Sequence, residues 1–67
     1  MLYKLTYPWQ DKPEAFSTKE KAIHEGERAM TRAEQAWLEY DPRTIVITRG
    51  RAKVGHFNLF GNFKETR

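Results

Sequence analysis

A chain of 67 residues has room for one domain and no second core, and without cysteine it has no disulfide, thiolate zinc site or thiol nucleophile. With 39% hydrophobic and 31% charged residues, it reads as a folded domain of modest stability with a well-solvated surface. No apolar run suits a signal peptide or a membrane span, so the cytoplasm is the expected setting; the net charge of +3 is uneven, residues 1–41 holding six Lys/Arg against eight Asp/Glu and residues 42–67 six against one.

The first predicted element is a strand over 2–7, where Tyr3, Leu5 and Tyr7 alternate with Lys4 and Thr6 at the period of a half-buried strand. Pro8 and Pro13 bracket a polar connection that reads as a loop. Trp9 within it is expected to fold over the end of the core. Ser17 stands three residues before Glu20, the capping-box spacing, with Phe16 as a hydrophobic staple. A helix over 18–40 follows, its inner stripe formed by Ile23, Gly26, Met30, Ala33, Trp37 and Tyr40, with Ala22, Ala29 and Ala36 beside them. Leu38 falls off that stripe. Asp41-Pro42 closes the helix, because the residue before a proline is pushed out of helical geometry.

A β-branched run, TIVIT, predicts a strand over 44–49, and alternation from Val54 onward predicts another over 53–63. An odd loop around Gly50 puts Phe57 and Leu59 on the same face as Ile45 and Ile47, so a three-residue hairpin loop is expected. Residues 64–67 are expected to fray. The fold class is then α+β: a single β-α-β-β domain over 1–67, one long helix on a three-stranded antiparallel sheet in the order 2-3-1.

One helix covers one face, so Val46, Thr48, Val54, His56, Asn58, Phe60 and Asn62 are expected on the other. The candidate binding residues are Arg43, Arg49, Arg51, Lys53, His56, Asn58 and Phe60, an aromatic and hydrogen-bonding groups beside a basic hairpin. The plain alternative is a wet sheet face with a stray aromatic. No catalytic set, metal or cofactor is expected. Ser17 is taken up as a cap, the two histidines fall on different elements, no HExxH or phosphate-loop glycine pattern is present, and Gly50, Gly55 and Gly61 suit turns and close packing.

The run FSTKEKAIHEGERAM followed by TIVITRGRAKVGHF, in a chain that starts with methionine and shows no targeting signal, resembles the small accessory proteins of bacteriophages and mobile elements, the anti-CRISPR proteins among them. The resemblance lies in the order of elements, a capped helix leading into a hairpin. It implies a stoichiometric inhibitor, acting in the host cytoplasm, that sits on a host protein or ribonucleoprotein and blocks its nucleic-acid site. The basic C-terminal half then calls for an acidic patch on that target, or for binding through the acidic part of the helix. Two rival readings come from the residues themselves: a DNA- or RNA-binding sheet and hairpin, and a homodimeric module paired through an edge strand.

Overall fold

The computed structural model describes residues 2–66. Its elements are β1 (Tyr3–Thr6), β2 (Glu14–Phe16), α1 (Lys19–Gln35), a 3₁₀ turn (Pro42–Thr44), β3 (Val46–Arg49), β4 (Ala52–Phe57) and β5 (Phe63–Glu65). The five strands form one antiparallel sheet in the order β2-β1-β3-β4-β5, and α1 packs on one face of it. The α+β class and the single helix agree with expectation. The three-stranded order 2-3-1 does not, because the central strand is the TIVIT segment and not the 53–63 segment.

That difference traces to β2. Three residues are too few to display a period, and Pro13 stands just before them, where a missing N–H costs an edge strand nothing. β2 pairs back on β1 with Tyr3 opposite Phe16 and Leu5 opposite Glu14. This early hairpin reverses the chain once more before the helix. The segment that leaves the helix therefore runs antiparallel to β1 and pairs with it directly, Leu5 opposite Ile47.

The 53–63 segment is two strands joined by a turn. Asn58 accepts the amides of Phe60 and Asn62 on its Oδ1, both at 2.9 Å, and Gly61 takes φ 82°. A side chain that imitates a turn's backbone, followed by a left-handed glycine, folds the chain back so that Phe57 faces Phe63. β5 thus includes Lys64 and Glu65, two of the residues expected to fray; Arg67 lies outside the described residues.

The hairpin between β3 and β4 meets its parity requirement in an unexpected way. Arg49 pairs with Ala52, leaving a two-residue turn, Gly50-Arg51, with φ 62° at Gly50. An even loop alone would put Phe57 on the wrong face. A bulge corrects it: Ile47 pairs with Gly55 but Thr48 with Lys53, so Val54 is the extra residue. Phe57 is returned to the side of Ile45 and Ile47, and Val54 packs toward the same core, contrary to its expected place on the open face.

The helix is shorter than expected, 17 residues or about 26 Å at 1.5 Å per residue. It is capped by Thr18 and not Ser17, the Thr18 Oγ1 accepting the Lys21 amide at 3.2 Å. It ends at Gln35, well before Asp41-Pro42. There the Leu38 amide reaches back to the Ala33 carbonyl (2.9 Å) and the Trp37 amide to that of Glu34 (3.1 Å), the double bond of a Schellman cap. Asp41 instead caps the 3₁₀ turn, accepting the Arg43 amide at 2.9 Å, so Thr44 lies in that turn and the strand begins at Val46.

The largest fully buried side chains, Leu5, Ile45, Ile47 and Phe57, all come from the sheet side. The helix contributes small residues, Ala22, Gly26, Ala29 and Ala33, together with Met30. Small residues let the helix lie close: a methyl group on Gly26 would stand 2.6 Å from Cζ of Phe57. At the end of the core Trp9 stacks on Tyr7 and meets Tyr40 edge-on, both at 5.2 Å, as its composition led one to expect.

Candidate functional site

Two surfaces stand out, and they lie on different parts of the molecule. The first is at the end where α1 stops. Trp37, expected in the core, is 92% exposed, and Leu38 is 41% exposed. The β4–β5 turn reaches the last turns of the helix, where Leu59, Phe60 and Gly61 line one cleft with Met30 and Glu34, and a methyl group on Gly61 would stand 3.8 Å from the Met30 Cε. Its tip residues Phe60 and Leu59 are 88% and 62% exposed. Between tip and helix lies an open cleft of about 250 Å³, lined by Met30, Glu34, Tyr40, Pro42, Leu59 and Phe60 among others. The Tyr40 hydroxyl sits 3.4 Å from the Met30 carbonyl and 3.3 Å from the Glu34 carboxylate. Partial burial, then the neighbouring Glu34 charge, raises its pKa above the ordinary phenol value.

Trp37 is also the sole non-glycine residue with positive φ among those described, at 57°. The left-handed position after a helix favours glycine, and a side chain there costs about 1–2 kcal/mol. Its exposed indole repays none of that inside the fold. Four large apolar side chains on one end of so small a domain are a surface that folding does not explain.

The second surface is the sheet face away from the helix. Since Tyr3, Leu5 and Tyr7 turn toward the helix, Lys4 and Thr6 turn away. Register then carries that face across the strands as Ala15, Lys4, Thr48 and Lys53 in one row and Thr6, Val46, His56 and Lys64 in the next. Glu14 and Glu65 fall on the helix side, opposite Leu5 and Gly55, and Glu65 pairs with Lys19 of the helix. Among the described residues, no carboxylate occupies these two rows.

The seven candidate residues do not come together. Lys53 and His56 remain on the open sheet face, with Arg51 exposed at the turn that leads into it. Arg49 faces the other way and lies over the Tyr3 ring, 5.2 Å from its centroid. Arg43 is clasped by Asp41, with Nε 3.0 Å from Oδ1 and Nη2 2.7 Å from Oδ2, and these hydrogen bonds lower the Asp41 pKa. Asn58 spends its carbonyl oxygen on the turn, and Phe60 belongs to the apolar end. Asn62 completes that turn instead of lying on the face.

The helical spacing of Trp37 points to the core, alternation puts Leu59 inside a strand, and the charged terminus puts Lys64 in a frayed end; the structure departs from all three. Gly61 with Asn58 three residues before it was the available turn signal. Lys4 could be read from the alternation in the first strand. No protein-family model matches the chain, and comparison with curated proteins and with solved structures returned no match.

Proposed function

We propose that this chain is a non-enzymatic binding protein that docks on another protein through its apolar end. The observation that carries the reading is the exposure of Trp37 and Phe60, both almost fully in water, on two separate elements, Phe60 lining the cleft beside Glu34 of the last helical turn and Trp37 following that turn. Burying an aromatic of this size contributes about 1.5–3 kcal/mol, so the two together supply roughly 10²- to 10⁴-fold in affinity. Aromatic anchors set around a shallow cleft are the usual core of a protein interface, and the exposed carboxylate of Glu34 gives that core a polar rim. A partner with an apolar pocket for Phe60 fits this shape. A stoichiometric inhibitor of a host protein or ribonucleoprotein, as in small phage accessory proteins, is the form of such binding we favour.

The test is a pull-down from host lysate with the wild-type chain, Phe60→Ser, Trp37→Ser and, as a control off this surface, Lys21→Ala. The expected result is one protein recovered in stoichiometric amount by the wild type and by Lys21→Ala and lost with both aromatic variants. Recovery that both variants leave intact would overturn the reading. Sedimentation of the purified chain at micromolar concentration should show a monomer; a dimer dispersed by Phe60→Ser would assign the apolar end to a second copy instead.

A further inference from the structure

We propose that the open face of the sheet binds double-stranded DNA, with Lys4 and Lys64 on phosphates to either side of the major groove. This goes beyond the protein-docking reading and does not depend on it, since the two surfaces share no residue and each can fail alone. The charge arrangement carries the inference. Three lysines, on β1, β4 and β5, stand on one face together with His56, and the three ion pairs among the described residues use Lys19, Arg32 and Arg43, none of which is on it. The nearest strand carboxylates, Glu14 and Glu65, are turned to the other side by the alternation. A face without acidic residues is the complement of a polyanion.

Its dimensions favour a duplex. Lys4 and Lys64 are three strand spacings apart in the order β1-β3-β4-β5, about 14 Å across the strands at 4.7–4.9 Å each, and one row apart along them, about 16 Å in all. The major groove of B-form DNA is about 12 Å wide and admits a small sheet, whereas the deep major groove of A-form RNA does not. Thr48 and Val46 lie between the lysines, short enough to let the strands approach the base edges. Among the described residues the two rows carry no Phe, Tyr or Trp, and their one ring, the His56 imidazole, is partly buried, so there is little platform on which unpaired bases could stack and single strands are disfavoured.

The experiment measures fluorescence anisotropy of a 20-base-pair DNA duplex, with the 20-nucleotide single strand, an RNA duplex and phosphatidylserine vesicles as the other arms, at 50 and 200 mM salt. With three phosphates neutralised, affinity for the DNA duplex should fall roughly 40-fold over that range; Lys4→Ala or Lys64→Ala should reduce the fall to roughly 12-fold and weaken binding at 50 mM. Lys21→Ala, on the helix, should change neither, and circular dichroism should show all variants folded. Absence of duplex binding at 50 mM salt would overturn the proposal. So would tighter binding to single strands, RNA duplex or vesicles, or a Lys21→Ala effect as large as that of Lys4→Ala.

Discussion

Strand β4 runs between two turns that solve the same geometric problem with opposite side chains. At one end Gly50, at φ 62°, leads into exposed Arg51; at the other Gly61, at φ 82°, follows exposed Leu59 and Phe60. In both, a left-handed position is filled by glycine because a Cβ is disfavoured there. The remaining tip positions are free of any folding requirement. At the first turn that freedom holds a charge, which solubilises the hairpin. At the second it holds two large apolar groups that the fold leaves in water, and the end of the helix carries an exposed tryptophan in a conformation that suits glycine. The contrast separates what the chain needs to fold from what it carries for a partner.

Phe57 and Phe60 provide the sharpest way to break this comparison, since they flank the same turn. Phe57→Ala should destabilise the domain by about 3–5 kcal/mol in chemical denaturation, because it empties the centre of the core. Asn58→Ala comes next, at about 1–2 kcal/mol by the same measurement, since two turn amides lose their acceptor. If it costs nothing, the turn is held by Gly61 alone.

Tyr7 adds a contrast along the pH axis. Its hydroxyl is buried without a hydrogen-bond partner, and burial followed by the nearby Glu14 and Glu25 charges pushes its pKa well above the ordinary phenol value. An unfolded phenol loses its proton near pH 10 while the folded one keeps it, so the unfolded state binds fewer protons above that pH and stability falls as pH rises. Tyr7→Phe should gain about 1 kcal/mol at neutral pH by removing an unsatisfied buried group, and should flatten the alkaline decline. Trp37→Gly should also gain about 1 kcal/mol in thermal unfolding by relieving the left-handed backbone, while weakening partner capture.

The first strand, the TIVIT strand and the small-residue stripe of the helix were legible because their periods extend over four or more residues. β2 was not, since Glu-Ala-Phe has no period to read, and missing it reversed the deduced direction of β3. The requirement that Phe57 share a face with Ile45 and Ile47 was read correctly, but the chain meets it with a bulge at Val54, a choice invisible to residue counting. Trp37 was misplaced for a physical reason. Its spacing continues the helical stripe, while the helix stops two residues earlier in a cap that the sequence does not mark with glycine. The basic sheet face was half legible, through Lys53, His56 and the alternation of Lys4; Lys64 needed the turn at Asn58 to return it to the sheet.

The most direct test of the central claim is the unfolding free energy of the Trp37→Gly, Phe60→Ser double variant beside the wild type. If these side chains serve a partner and not the fold, the double variant will be as stable as the wild type or more stable by up to about 1 kcal/mol. A loss of more than about 2 kcal/mol would contradict the account, because it would mean that the apolar end holds the domain together.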